Sequence, residues 1–280
     1  ETTQRIKDHF LELFLSRDAL VYSAPSTPDQ DVLAKLKIPP GKRFLVALLS
    51  SEDEVYAATL VGTTIGPEFD VFPSQSDWIR ELIKWAGGHP DHHLIIRPHP
   101  RQFPNSREGV LSEAGRLMQE ELQELPPNVT VNWPSDNVAL YDLIRLRPLF
   151  LNFISTAGRE MALLGAPLLV HERNLAFPLD LFTTADSQAS YFKTLEELSG
   201  SGAPSLERSV LAFRWHALEL EASALDLGRS RLGISFSLPQ SSAPWARVLH
   251  AIANHNPVVR DPTTLFESAR RWSSLDNAEL

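Results

Sequence analysis

The sequence predicts an α/β protein with a Rossmann-like parallel sheet and flanking helices. Two observations lead there. From Phe44 to Val170, short β-rich apolar runs alternate with amphipathic segments, and those segments are long enough to cross over between parallel strands. Gly and Pro punctuate their ends.

The chain opens on Glu1 in place of Met, within helical character from Gln4 to Leu15, and so reads as a piece of a longer protein. Residues 1–40 are expected to form an N-terminal helix and connection. The first strand is expected over Phe44–Leu49. Between Ser74 and Gly88, Trp78, Ile79, Leu82, Ile83 and Trp85 recur at helical spacing between a Ser/Asp start and a Gly-Gly stop. Strands are then expected at Leu94–Arg97, Val129–Asn132, Leu149–Phe153 and Pro167–Val170, with crossovers over Arg107–Leu125, Asn137–Leu146 and Ala157–Leu164. Residues 41–198 thus form the Rossmann-like domain. Residues 199–280 form a C-terminal helical segment and tail, with a long helix at Leu206–Leu227, a short strand at Gly233–Leu238 and a helix at Pro244–Asn254.

The 280 residues are 43% hydrophobic and 22% charged, which excludes a disordered tail or a coiled coil. The absence of Cys removes disulfides, thiolate metal sites and cysteine nucleophiles. A net charge of −9 argues against nucleic acid as a partner while leaving room for a local basic pocket. No apolar run approaches the ~20 residues of a membrane span, and the chain reads as soluble.

In Rossmann-like sheets ligands sit at the carboxyl ends of the strands. The densest signal there is Arg97-Pro98-His99-Pro100-Arg101, which follows a buried strand. Two prolines stiffen the backbone around His99, and Arg97 and Arg101 offer fork-shaped cations suited to phosphate. The competing reading is a structural histidine. Upstream, His89, His92 and His93 lack the spacing of a metal site, and His89-Pro90-Asp91-His92 reads as a solvated turn, so no metal is expected.

A second turn, Ser155-Thr156-Ala157-Gly158-Arg159-Glu160, runs from a strand into a helix. Free backbone N–H groups, the Ser155 and Thr156 hydroxyls and the close approach allowed by Gly158 suit an anion, and Glu160 suits ribose hydroxyls. A plain helix cap, with Glu160 in a capping-box arrangement, explains the same residues. A third loop offers Ser135 and Asn137 for a nucleoside or phosphate, or as caps of the helix that carries Tyr141. The acidic loop Glu52-Asp53-Glu54 is unsuited to phosphate and suits a sugar hydroxyl or an acceptor. Neither a dinucleotide fingerprint, a P-loop nor a nucleophile elbow occurs in phase with a strand.

The segments from Phe72-Pro73-Ser74-Gln75-Ser76-Asp77-Trp78 to Ile96-Arg97-Pro98-His99-Pro100-Arg101, then Pro104–Gly109 and Ser155–Pro167, resemble the C-terminal half of bacterial capsule polysaccharide biosynthesis glycosyltransferases of the GT-B fold, including Kdo transferases. The His-Pro pair and the Ser/Thr turn are similar to those of GT-B sialyltransferases and of polymerases that use CDP-glycerol. The resemblance covers about residues 40 to 220. It implies that His99 contacts the donor phosphate and stabilises it as a leaving group, with Arg97 or Arg101 assisting. Ser155 and Thr156 would hold the same phosphate and Glu160 the ribose. The donor implied is a nucleotide sugar, with CMP-Kdo preferred, and the acceptor a glycan or glycolipid. No metal or other cofactor is implied, and the location would be cytoplasmic, peripheral to the inner membrane. The acceptor-side domain, with its catalytic base, is expected to lie before Glu1. The alternatives are a non-catalytic scaffold, a transferase using CDP-glycerol or a UDP-sugar, and a sugar-nucleotide epimerase.

Overall fold

Val46, Leu45 and Leu48 sit near the middle of a six-stranded, all-parallel sheet in the computed structural model, which describes residues 2–15, 22, 25–27, 29–54, 56, 71–105, 109–171, 183–200 and 204–221. The strands are β1 (Arg43–Leu48), β2 (His92–Arg97), β3 (Val129–Val131), β4 (Leu149–Asn152), β5 (Leu168–Val170) and β6 (Thr183–Thr184), in the spatial order β3-β2-β1-β4-β5-β6. That order is the doubly wound one, in which the direction of winding reverses between β1 and β4. The fold class expected from the sequence is therefore the one observed.

Contacts divide the chain into residues 7–212, which carry the sheet, and a second unit of residues 1–6 with 213–280. In the second unit, the described residues belong to the ends of two helices. The helices with described bounds are α1 (Thr2–Phe14), α2 (Val32–Leu36), α3 (Gln75–Gly87), α4 (Glu113–Glu121), α5 (Leu140–Leu143), α6 (Ala157–Leu163), α7 (Gln188–Leu198) and α8 (Leu206–Glu221), and residues 52–54 are helical as well. Among the described residues no helix is long and apolar enough to cross a membrane.

The strands read as unbroken apolar runs because both faces of the sheet are covered. One face carries Leu45, Ala47, Leu94, Ile96, Leu149, Leu151 and Leu169 into a core with Trp78, Ile79 and Leu82 of α3 and Tyr191 and Leu195 of α7. Within it the Trp78 indole N–H donates to the Tyr191 hydroxyl at 3.0 Å, so the buried indole donor is satisfied. On α3 the apolar residues recur at helical spacing, and Ser74 starts the helix by accepting the Asp77 N–H at 3.0 Å.

Several boundaries differ from expectation. The segment read as one crossover from Arg107 becomes helical only at Glu113, because Ser112 caps it by accepting the Gly115 N–H at 3.0 Å. Arg107 lies outside the described residues. The turn expected at His89–His92 ends one residue early: His92 begins β2 and is buried, with Nδ1 3.0 Å from Asp91 Oδ1 and Nε2 2.9 Å from Ser199 Oγ. Its neighbour His93 is buried elsewhere, with Nε2 2.9 Å from Thr130 Oγ1, as alternation along a strand requires. Three elements, α2, β6 and α7, are additional to those expected. The strand expected at Gly233–Leu238 and the helix at Pro244–Asn254 lie outside the described residues.

Candidate functional site

Register brings the polar residues of the carboxyl edge into one row. Leu48 pairs with Arg97 on one side and Asn152 on the other, and Asn152 pairs in turn with Val170. The turns that follow β2 and β4 therefore rise on either side of β1, at the reversal of strand order where ligands of such sheets enter. The loop after β1 is pinned beside them. The Ser50 N–H donates to Gln75 Oε1 at 2.7 Å, and Gln75 Nε2 donates back to the Ser50 carbonyl at 3.2 Å. A single amide at the start of α3 thus satisfies both buried backbone groups of Ser50.

At the end of β2 and in the turn beyond it, the two arginines have different fates. Arg97 turns into the protein, where its Nη1 donates to Asn132 Oδ1 and, at 2.9 Å, to the Val138 carbonyl. Burial pulls its pKa down to about 10, against the opposing pull of Glu160, Tyr141, Asp142 and Asp136. Arg101 stays at the surface, in an ion pair with Glu54 at 2.5 Å. His99 lies half-buried between them and caps a short 3₁₀ turn, Pro100–Gln102, by accepting the Arg101 N–H on Nδ1 at 3.4 Å. Burial lowers its pKa; Glu54 opposes this, while Arg101 and Arg97 add to it. The ring is therefore neutral at pH 7, and with Nδ1 accepting, its Nε2 carries the proton as an uncharged donor. Asn105 steadies the turn by donating to the Pro100 and Phe103 carbonyls at 3.2 and 2.9 Å.

The turn after β4 is tighter. Ser155 is buried and accepts the Ala157 N–H at 3.4 Å, whereas Thr156 is exposed at the cap position of α6 without a side-chain cap bond. Gly158 is buried, and a Cβ there would stand 2.7 Å from Asn152 Nδ2, so the missing side chain accommodates the strand end behind it. Glu160, half-buried on α6, accepts the Tyr141 hydroxyl at 2.6 Å. Tyr141 is held protonated well above its ordinary pKa, by burial and by the Glu160 carboxylate.

The third loop brings Ser135 and Asn137 to the surface at the same edge. Asn137 takes a left-handed φ of 52° and ends the turn Pro134–Asp136, while its side-chain amide donates to the Ser135 carbonyl at 3.3 Å. The helix that carries Tyr141 starts after Ala139, so neither residue caps it.

Four residues of this edge are assigned no role by the sequence. They are Gln75, Asn132, Asn152 and His171, the last stacked on Phe153 with centroids 4.1 Å apart and 5° between planes. Each lies at or just beyond a strand or helix end, and Gln75 and Asn132 bond to Ser50 and Arg97, 25 and 35 residues away, which leaves no local signal. Among the described residues, neither amide atom of buried Asn152 and neither hydroxyl of Ser50 and Ser51 has a hydrogen-bond partner.

No family model matches the sequence, and no curated protein matches it. Among solved structures, the chain is similar to one described as the glycotransferase of kitacinnamycin, at 16% identity and a TM-score of 0.37. The match covers 69% of this chain and 45% of that one.

Proposed function

We propose that the carboxyl edge of this sheet binds the phosphate and nucleoside of an activated sugar, and that the chain is the donor-binding part of a glycosyltransferase. The observation that carries the reading is the meeting of two turns across β1: the Pro-stiffened His99–Arg101 turn from β2 and the Ser155–Glu160 turn from β4, at the reversal of strand order. A neutral His99 that donates from Nε2, beside the Arg101 guanidinium, suits a phosphate oxygen that gains charge as the glycosidic bond breaks. Thr156 and Ser135 lie exposed at the same edge and suit further contacts to the nucleotide, and Glu160 suits the ribose if Tyr141 yields its hydrogen bond. Arg97 contributes through position and field, since its guanidinium is bonded to Asn132 and Val138. A CMP-sugar such as CMP-Kdo is the preferred donor, on the resemblance of the His-Pro and Ser/Thr motifs. Capsule or other surface polysaccharide synthesis on the cytoplasmic side of the inner membrane is the setting that resemblance implies.

Calorimetry with CMP, CDP and UDP tests the reading. Binding that prefers CMP and weakens about tenfold or more in His99→Ala supports it; no binding to any of the three ends it. A second reading, a scaffold that retains the fold without transfer, draws on the mutual pairing of Glu160 with Tyr141 and Arg101 with Glu54. It expects His99 resonances unmoved by any nucleotide.

A further inference from the structure

The segment after β1 brings an acid to the one place where the reading above needs a cation. Glu54 comes from the helical residues 52–54 that follow β1. Arg101 comes from the turn after β2, 47 residues later in sequence, and the two side chains meet at 2.5 Å while each is 40–46% exposed. We infer that Glu54 is a built-in competitor for the ligand's phosphate, occupying the Arg101 guanidinium until an incoming anion replaces it. The inference rests on the proposed nucleotide reading, since it assigns Arg101 the task of gripping phosphate.

Three features carry it. First, the two guanidiniums of the motif are not equivalent: Arg97 is committed inward to Asn132 and Val138, so the surface-facing cation of this turn is Arg101. Second, the backbone under Arg101 is anchored by its own N–H to His99 Nδ1 and by Asn105 to Pro100 and Phe103, so exchange of partners needs only side-chain rotation. Third, an ion pair this exposed is weak, because water screens it and two long side chains lose freedom to hold it. A phosphate, with more charge and several acceptor oxygens for the guanidinium fork, outcompetes a single carboxylate. A neutral ligand offers the guanidinium no charge in exchange for the carboxylate and so gains nothing from moving it. The pair therefore admits anionic ligands selectively.

The test is calorimetric titration of the full chain with inorganic pyrophosphate, CMP and cytidine. In Glu54→Gln, pyrophosphate and CMP bind roughly two- to fivefold tighter than in the unaltered chain, the range an exposed pair allows, and cytidine is unaffected. Adding Arg101→Ala to Glu54→Gln abolishes the gain. Asp53→Asn, which removes the same charge from the neighbouring position, produces none. The competitor role is overturned if Glu54→Gln brings no gain, if Asp53→Asn matches it, if cytidine tightens equally, or if the gain survives Arg101→Ala. Pyrophosphate and CMP binding that is present but insensitive to Glu54 overturns only this inference. Absence of binding in every variant overturns the nucleotide reading with it.

Discussion

Asn152, the last residue of β4, rests its side-chain amide directly on Gly158 in the first turn of α6. A Cβ built on Gly158 would meet the amide at 2.7 Å from Nδ2 and 2.9 Å from Cγ, inside any real van der Waals contact. Gly158→Ala must therefore push the helix start away from the strand end, at a cost of about 1–3 kcal/mol, the usual range for overpacking. Urea denaturation reads this as a lower midpoint. The double variant Gly158→Ala with Asn152→Ala recovers part of the loss, whereas strictly additive effects would show that the two do not share this contact.

Arg97 and Arg101 differ in what they hold, and stability separates them. Replacing Arg97 with Met leaves the Asn132 Oδ1 and the Val138 carbonyl without the donor they now share, which costs about 2–3 kcal/mol. Replacing Arg101 with Ala removes a surface ion pair and changes stability by less than about 1 kcal/mol. Nucleotide affinity is expected to fall in Arg101→Ala at unchanged melting temperature. Equal stability losses in the two variants would contradict the assignment of Arg97 to the interior.

Two buried histidines make stability depend on pH. Burial pushes His93 and His171 down to about 4, with Lys42 adding to the effect at His93, while the Asn152 and Phe153 backbone opposes it at His171. The unfolded chain protonates these rings near 6.5, so below that pH it binds protons that the folded protein refuses, and stability falls. The full contribution is present above about pH 6.5 and is lost as pH drops toward 4, up to about 3 kcal/mol for each ring. Urea midpoints measured from pH 7.5 to 4.5 should decline through this window. His93→Gln should flatten the decline; an unchanged slope would show that His93 titrates normally.

Gln75 closes the loop after β1 with both atoms of its side-chain amide. Gln75→Ala strands a buried N–H and a buried carbonyl of Ser50, for an expected loss of about 2 kcal/mol or more. Gln75→Glu keeps the acceptor and loses the donor, so that a carboxylate faces the Ser50 carbonyl. Hydrogen exchange at the Ser50 amide checks the mechanism directly: it should accelerate strongly in Gln75→Ala and less in Gln75→Glu.

Much of the architecture was legible because it is written locally. The apolar run Phe44–Leu49 became β1 at Arg43–Leu48, and Ser74 with Gly87 and Gly88 framed α3, since a cap or a buried strand depends on residues within a few positions. The exceptions have physical causes as well. β6, only Thr183–Thr184, has no apolar pattern and exists through its pairing with β5. The crossover expected from Arg107 includes Val110 and Leu111, which lie exposed ahead of the Ser112 cap. His92 reads as polar, and hence as turn, yet Ser199 supplies a partner that makes its burial tolerable.

The candidate site divides along the same line. By itself the sequence determined that a stiff Arg-Pro-His-Pro-Arg turn and a Ser-Thr-Ala-Gly turn follow buried strands, because proline geometry, helix starts and apolar runs are properties of neighbouring residues. Only the tertiary structure decided that these turns face each other across β1, that Arg97 is committed to Asn132, that Glu160 accepts from Tyr141 and that Arg101 meets Glu54. Strand order and register arise from packing both faces of the sheet at once. They select the partners of Arg97, Arg101 and Glu160 from residues 19 to 47 positions away, beyond the reach of any sequence period.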